Sequence, residues 1–215
     1  MSTFTLLLGG EVIHTPRLEA QAAGTRVIAA DSGIRHADML RLLPELWVGD
    51  FDSAPAHLPP HLAKVPQERF PAEKDSTDGE LAVSIALKHG ATKLNLVGAF
   101  GGARADHAFL HLALALRLAE QGTDVLLTSG AQEGIPVLPG QAKTFDYAEG
   151  TLFSVLGFSK LTGLTIKGAK WPLNEVEMPF GSSLTISNAV KGKLEITLGN
   201  GRALLLAHPY PLPES

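Results

Sequence analysis

Carboxylates follow predicted strands in the first half of the sequence. Asp31 comes directly after the apolar run Val27–Ala30, and Asp50 and Asp52 follow the run Leu46–Val48. The carboxyl ends of strands in an open parallel sheet form the ligand crevice, so these side chains are expected to meet there. Gathered carboxylates repel one another and need a cation. Oxygen ligands of this kind suit Mg²⁺ together with phosphate oxygens, and the pattern therefore predicts a metal and phosphate site.

Two further loops add to this pattern. The segment 73–78, which holds Asp75 and Asp78, leads into a predicted helix, and the segment 98–107 follows the run Leu94–Val97. Asp and Ser after a strand are also ordinary turn and N-cap residues, and for each loop alone that interpretation is the better one. Four such loops together favour a metal and phosphate site.

Candidate donors for a phosphate group lie in the same loops. Gly101 and Gly102 precede a predicted helix, whose N-terminus favours anions. Arg104 is able to bind a phosphate with two parallel N–H groups, and Lys74 is a second candidate cation. The P-loop pattern G-x-x-x-x-G-K-[ST] is absent from the sequence, which excludes P-loop enzymes.

Three other residues have a less specific pattern. His107 and His111 have helical i, i+4 spacing, but the Glu of H-E-x-x-H is missing, so packing is the more common explanation. Trp171 is able to stack on a flat heterocycle, although a Trp beside Pro172 more often belongs to a core or an interface. A Ser-His-Asp set cannot be assembled with any specificity.

The elements that position these residues change type along the chain. The first half alternates apolar strands with helices, one beginning at Thr77 in a capping box with Glu80, and one at about 106–121. This predicts a Rossmann-like α/β domain with a mainly parallel sheet at residues 1–132. The predicted strands are Phe4–Leu8, Val27–Ala30, Leu46–Val48, Leu94–Val97 and Val125–Thr128.

After Gly130 the sequence has short strand patterns separated by turn residues and no helical period. Pro136, Pro139 and Gly140 are interpreted as a connection. We predict an all-β sandwich at residues 133–215. Its predicted strands are Thr151–Leu156, Leu164–Lys167, Leu184–Ser187, Leu194–Leu198 and Ala203–Ala207.

Composition excludes several classes of protein. The net charge is −4 and no cluster of Lys and Arg is present, which argues against nucleic-acid binding. The absence of cysteine excludes disulfides and thiolate sites. A signal peptide and a membrane span are not predicted, so we expect a cytoplasmic protein without membrane contact.

Taken in order, these motifs resemble the thiamine pyrophosphokinase family over about residues 28–207. The family's pattern Gly-Gly-Arg-x-Asp-His departs here by one residue, because Ala103 separates Gly102 from Arg104. The motifs that carry the resemblance are Asp31-Ser-Gly33, Gly49-Asp-Phe-Asp-Ser53, Lys74-Asp-Ser-Thr-Asp78, Arg104-Ala-Asp-His107 and, within Pro179–Asn188, Ser187-Asn188.

The resemblance implies transfer of a diphosphoryl group from ATP to thiamine, giving AMP and thiamine diphosphate, with Mg²⁺ as cofactor. It also implies a homodimer whose active sites are shared between the α/β domain of one subunit and the sandwich of the other. The expected catalytic residues are Asp50, Asp52, Asp75, Asp78, Arg104 and Asp106, of which Asp50, Asp52 and Asp75 hold the metal. The expected ATP-binding residues are Asp31, Ser32, Lys74, Gly102, Arg104 and His107. The expected thiamine-binding residues are Ser187, Asn188 and Trp171.

Several alternatives stay open at this point. Either Asp78 or Asp106 is able to accept the proton of the attacking hydroxyl. Asp50-Phe-Asp52 also resembles the start of haloacid-dehalogenase-type phosphatases, in which Asp50 would be a nucleophile, but their later Lys and paired-Asp motifs are missing. Two further hypotheses remain. One is a binding module without turnover, and the other is a pyrophosphokinase for another alcohol, such as a pterin.

Overall fold

A computed structural model describes residues 2–71, 73, 75–102 and 104–210 of the chain. The chain divides into two compact units: residues up to His111 with Gly122–Gly130, and Leu112–Gln121 with the residues from Ala131 onward. The domain boundary predicted between residues 132 and 133 stays a prediction.

The first unit contains a parallel sheet. Its strands are β1 (Ser2–Leu7), β2 (Arg26–Ala30), β3 (Leu46–Gly49), β4 (Gln67–Arg69), β5 (Ala91–Val97) and β6 (Asp124–Thr128). Their order across the sheet is β4-β3-β2-β1-β5-β6, and every neighbouring pair is parallel. The chain builds outward from β1 to β4 and then returns to the other side of β1 for β5. This reversal between β1 and β5 is the switch point at which ligands bind in such sheets.

Local signals define where the helices begin. The helices are α1 (Pro16–Ala22), α2 (His36–Met39), α3 (Asp78–Lys88) and α4 (Ala105–Glu120). The Thr15 hydroxyl accepts a hydrogen bond from the Leu18 N–H, and Pro16 takes the first helical position, where its missing N–H costs nothing. The predicted capping box of α3 is present, with Thr77 and Glu80 each accepting from the other's backbone N–H. It fixes the start of α3 at the carboxyl end of the sheet.

Apolar side chains on both faces bury the parallel sheet. Leu7 of β1 and Trp47 of β3 share a buried cluster with Leu18 of α1. Successive strand residues point to opposite faces, and their neighbours Leu6 and Val48 are also fully buried. Helix α3 packs against β1, β2, β3 and β5. A sheet covered on both faces explains why its strands appear in the sequence as continuous apolar runs.

The second unit contains an antiparallel sandwich. Its strands are β7 (Glu133–Val137), β8 (Ala142–Phe145), β9 (Leu152–Gly157), β10 (Leu161–Ala169), β11 (Leu173–Met178), β12 (Asn188–Thr197) and β13 (Ala203–His208). One sheet has the order β7-β13-β9 and the other β11-β10-β12-β8. Strand β12 joins them, because its first residues, Asn188 and Ala189, pair with β9 before the strand continues between β8 and β10. Phe153, Leu164 and Ile196 lie fully buried in the shared core.

Two sequence predictions in this half are wrong. Leu184–Ser187 forms turns rather than a strand, with Ser187 in the left-handed region at φ 61°. Thr185 is buried and donates to the Val155 carbonyl at 2.6 Å, whereas Leu184 and Ile186 are about half exposed. The side chains of this segment do alternate between exposed and buried, but the buried one is the polar Thr185 and the apolar ones are exposed. Pro136 was interpreted as part of a connection, but it lies inside β7 opposite Leu204.

No helix in the described ranges is both long enough and apolar enough to cross a membrane.

Candidate active site

A cavity of about 910 Å³ opens at the carboxyl end of the parallel sheet. The loops that follow β1, β2, β3 and β5 form its walls, together with the start of α3 and the first turns of α4. The predicted site residues that line it are Asp31, Ser32, Asp50, Asp52, Asp75, Asp78, Gly102, Arg104 and His107.

The remaining predicted residues lie elsewhere. Asp106 does not line the cavity. It is hydrogen bonded to Arg104, and Arg104 does line the cavity. Lys74 lies outside the described residues, as does Ala103. Ser187, Asn188 and Trp171 belong to the second unit.

Three carboxylates of the cavity are grouped closely. One oxygen from each of Asp31, Asp50 and Asp52 lies within 4.8 Å of the others. Asp31 is buried, and while one of its oxygens accepts a hydrogen bond from the Ser53 hydroxyl, the other is buried without any hydrogen-bond partner. A buried carboxylate oxygen without a donor is unfavourable unless a cation satisfies it. This group therefore fits a divalent metal bound through oxygen.

The pKa of Asp52 is raised by the negative charges around it. Repulsion from Asp50 is the largest cause that raises this pKa above its ordinary value, followed by desolvation and by the charge of Asp31. The same repulsion favours a bound cation, because a cation turns an unfavourable set of like charges into a favourable one.

An aromatic anchor positions the Asp50–Asp52 turn. Phe51, between the two aspartates, has a left-handed backbone at φ 66° and packs edge-on against Trp47, with ring centroids 4.6 Å apart. The Arg69 guanidinium lies 4.8 Å from the Phe51 ring and donates to the Asp50 carbonyl at 2.9 Å. Because Phe51 packs against the core of the unit, its two neighbours are left facing the cavity.

Glycines bring two loops together at the switch point. A Cβ atom at Gly10, after β1, would lie 2.3 Å from the Gly98 carbonyl oxygen and 2.4 Å from that of Phe100, after β5. A Cβ atom at Gly98 would in turn lie 2.5 Å from the Leu8 carbonyl oxygen. Only glycine permits this approach of two backbones, which leaves main-chain groups as the wall of the cavity.

Arg35 and His36 hold the glycine loop from the side of β2. The Arg35 guanidinium donates to the carbonyls of Gly9 and Gly10, and the His36 Nε2 lies 2.9 Å from the Gly10 oxygen. Burial is the main cause that lowers the pKa of His36, and the charge of Arg35 lowers it further. A neutral His36 is able to donate from Nε2 to the carbonyl, so the contact does not require a charged ring.

Arg104 forms a two-bond ion pair at the start of α4. Its Nε and one terminal nitrogen donate to the two Asp106 oxygens at 3.0 and 2.7 Å. These bonds are the largest cause that lowers the pKa of Asp106 to about 2. Asp106 is thus ionised at neutral pH and is a weak proton acceptor.

Sequence reasoning missed part of the cavity wall. Gly9 and Gly10 directly follow a predicted strand, which was a signal available from the sequence. Arg35 had no such signal, because only its contacts with the glycine loop distinguish it from other surface arginines. His111, interpreted as a packed residue, lines the wall while its Nδ1 lies 3.2 Å from the Ala99 carbonyl oxygen, and burial lowers its pKa.

A carboxylate group that fits a metal lies in this cavity, at the switch point of a parallel sheet. This combination is typical of enzymes that bind a phosphate-bearing ligand through a divalent cation.

Comparison with known proteins gives the family. The family model "Thiamin pyrophosphokinase, catalytic domain" matches residues 19–127, and "Thiamin pyrophosphokinase, vitamin B1 binding domain" matches residues 142–202. The chain belongs to the thiamin pyrophosphokinase family. It is an enzyme, an ATP:thiamine diphosphotransferase of thiamine diphosphate biosynthesis, as the sequence predicted.

Individual relatives agree over nearly the whole chain. A thiamine pyrophosphokinase of Bacillus subtilis is 29% identical over 193 residues, which are 87% of this chain and 89% of the relative. A crystal structure of thiamine pyrophosphokinase from Bacillus subtilis has a TM-score of 0.82 at 23% identity and covers 98% of this chain and 100% of its own. The enzyme from Geobacillus thermodenitrificans has a TM-score of 0.75 at 25% identity, with 97% of each chain covered. These similarities confirm the predicted fold class, an α/β region followed by an antiparallel β region.

Proposed function

We propose that the cavity of the first unit binds the triphosphate of ATP and is where diphosphoryl transfer occurs. The observation that carries the proposal is the convergence of Asp31, Asp50 and Asp52 at the switch point. In the reaction, the thiamine hydroxyl oxygen attacks the β-phosphorus. The bond between the β-phosphorus and the oxygen that bridges to the α-phosphorus breaks, and AMP leaves.

Mg²⁺ is the proposed cofactor, held by Asp31, Asp50 and Asp52. Hard oxygen ligands favour Mg²⁺, which commonly takes one or two carboxylates together with phosphate oxygens. When bound, it neutralises negative charge on the phosphate oxygens. Asp75, predicted as a metal ligand, lines the same cavity outside this group of three and stays a prediction.

The loop after β5 and the start of α4 supply positive charge and hydrogen-bond donors to the cavity. Arg104 is proposed to bind the phosphates, with Asp106 holding its guanidinium plane in place through two hydrogen bonds. Gly101 and Gly102 line the cavity with positive φ, at 66° and 83°, and their N–H groups are the proposed backbone donors to the phosphates. The ATP-binding roles of Ser32, Lys74 and His107 stay predictions.

Asp78 is the better candidate for the proton acceptor. Asp106 has a pKa of about 2 and is committed to Arg104, so it takes up a proton poorly at neutral pH. Asp78 lines the cavity as the first residue of α3. We assign it the role of accepting the hydroxyl proton of thiamine.

The test of the activity is a product assay. The pure protein, incubated with Mg²⁺, ATP and thiamine, is expected to yield thiamine diphosphate and AMP in equal amounts, separated by chromatography. EDTA is expected to abolish both products, because the crowded carboxylates need the cation to bind phosphate. If AMP formed with a pterin alcohol and not with thiamine, the assignment of thiamine as the substrate would be overturned. If Asp50 became phosphorylated, the protein would instead be a phosphatase.

Thiamine is proposed to bind through Ser187, Asn188 and Trp171, and the active sites are proposed to be shared within a homodimer. The second unit offers apolar side chains for such contacts: Trp171, Phe180, Leu184 and Ile186 are 48 to 71% exposed. The cytoplasmic location also stays a prediction.

Shared sites predict complementation between variants of the two units. Asp52→Asn disables the first unit and Trp171→Ala weakens thiamine binding by the second, so a hybrid dimer keeps one intact site. Random mixing makes half of the dimers hybrids, so kcat/KM for thiamine is expected to be about a quarter of the wild-type value. The measurement is the rate at thiamine concentrations well below KM after co-expression of the two variants. Asp52→Asn mixed with Asp50→Asn is the control and is expected to recover nothing. A rate no higher than the mean of the two variants measured alone, about a twentieth of wild type, would contradict shared sites.

A further inference from the structure

Trp171 lies at the turn between β10 and β11. Its side chain is 54% exposed, although it is a large apolar group. The Lys170 ammonium lies 4.6 Å from its ring centroid. The backbone at this turn is also held, because the Lys170 N–H donates to the Ala189 carbonyl at 2.8 Å. An exposed ring on a fixed backbone is able to serve as a stacking platform for a flat, cationic heterocycle.

The backbone of Trp171 is fixed by one buried side chain. Asn188, the first residue of β12, is 3% exposed. Its Oδ1 accepts from the Trp171 N–H at 3.1 Å, and its Nδ2 donates to the Trp171 carbonyl at 2.8 Å. The same Oδ1 also accepts from the Ala189 N–H at 2.8 Å. The amide thus binds both polar groups of one residue, as a neighbouring strand would.

These bonds leave little of Asn188 for a ligand. The carbonyl oxygen of an amide accepts two hydrogen bonds, and Oδ1 already makes two. The Nδ2 group uses one of its donors within the protein, and the side chain is buried. A direct bond from Oδ1 to thiamine would first have to break a bond to Trp171 or Ala189.

Ser187 differs from Asn188 in each of these respects. It is exposed, its backbone is left-handed, and its N–H donates to the Ser154 hydroxyl at 3.1 Å. In the described part of the chain, its own hydroxyl has no hydrogen-bond partner. Of the two neighbours, Ser187 is the one whose side chain is available to a substrate.

We infer that Asn188 is a positioning residue that binds no thiamine itself and acts by holding Trp171, while Ser187 and the Trp171 ring make the contacts. The inference rests on the proposed thiamine-binding role of Trp171. It assigns the two adjacent residues separate roles: a substrate contact for Ser187 and a backbone clamp for Asn188.

A double-mutant cycle tests this division of roles. Trp171→Ala is expected to raise the KM for thiamine about tenfold, because a stacking and cation–π contact is lost. Asn188→Ala is expected to raise the same KM by about three- to tenfold in the wild-type background and to have no further effect in the Trp171→Ala background. The KM for ATP is expected to stay unchanged in all three variants.

Ser187→Ala is the matched control. Because Ser187 is assigned a contact of its own, its effect on the KM for thiamine is expected to be the same with Trp171 present or absent. If Asn188→Ala raised KM by the same factor in both backgrounds, Asn188 would contact thiamine directly and the inference would be overturned. An unchanged KM in Trp171→Ala would overturn it as well.

A measurement on the wild-type protein covers the case in which Asn188→Ala fails to fold. The Asn188 side-chain amide is expected to exchange its hydrogens slowly before thiamine is added, because Trp171 already accepts its bond. Fast exchange that becomes slow only with thiamine would overturn the inference. The wild-type measurement in the kinetic assay distinguishes failure of this inference from failure of the proposed function. If the wild-type enzyme converted no thiamine, the proposed function itself would be wrong.

Discussion

Asp52→Asn is expected to lower kcat by about 10²- to 10³-fold while the protein keeps its fold. The substitution removes one of three carboxylates whose oxygens lie within 4.8 Å of one another. A neutral amide oxygen binds Mg²⁺ more weakly, so the phosphate charge is less well neutralised. The measurement is kcat over a series of Mg²⁺ concentrations at saturating ATP, where the variant is expected to need more Mg²⁺.

The thermal stability of the metal-free protein separates this effect from unfolding. Repulsion from Asp50 raises the pKa of Asp52, so the unprotonated carboxylate is unfavourable without a cation. Removing its charge is therefore expected to leave Tm in EDTA unchanged or slightly higher. A large fall in Tm would mean that the lost turnover reflects damage to the fold.

Asp124→Asn is the matched control. Asp124 begins β6 in the same unit and forms an exposed ion pair with Lys93 at 3.8 Å, well away from the carboxyl ends of the strands. Wild-type kcat is expected for this variant. Near-normal kcat in Asp52→Asn at ordinary Mg²⁺ concentrations would contradict the proposed metal site.

The α/β half was predictable because its strands are buried on both faces. Runs such as Val27–Ala30 and Leu94–Val97 contain almost nothing polar, and Thr77 with Glu80 defines the start of α3. The edge strand β4, Gln67–Arg69, escaped prediction for the converse reason: it is exposed and has no apolar residue. Burial, rather than the hydrogen bonds of the strand itself, produces the signal in the sequence.

The grouping of the carboxylates depends on contacts that no sequence pattern contains. The sequence predicted Asp75 beside Asp50 and Asp52, whereas Asp31 is the residue that joins them within 4.8 Å. Asp31 has a left-handed backbone at φ 42°, and a Cβ atom at Gly49 would lie 3.1 Å from its Cβ. Which loop reaches the centre of the cavity is thus decided by backbone angles and by a close approach between strands.

Gly10→Ala is expected to lower the free energy of unfolding by about 3 kcal/mol and Tm by about 10 °C. The new methyl group would lie 2.3 Å from the Gly98 oxygen and 2.4 Å from the Phe100 oxygen. Both are backbone atoms, which cannot rotate away as a flexible side chain can. The loops after β1 and β5 are therefore expected to separate, and the Kd for ATP is expected to rise because these loops form the wall of the cavity. Calorimetry of unfolding and of ATP binding measures both effects.

Gly90→Ala separates overpacking at the switch point from a general cost of replacing glycine. Gly90 follows α3 with φ 82°, and nothing lies within 4 Å of a Cβ atom there. Its replacement forces only a left-handed backbone, at a cost of about 1 to 2 kcal/mol, and ATP affinity is expected to stay unchanged. If Gly10→Ala lost no more stability than Gly90→Ala and bound ATP normally, the close approach of the two loops would not be what shapes the cavity. If only Gly10→Ala weakened ATP binding, the backbone at the switch point would be part of the nucleotide site.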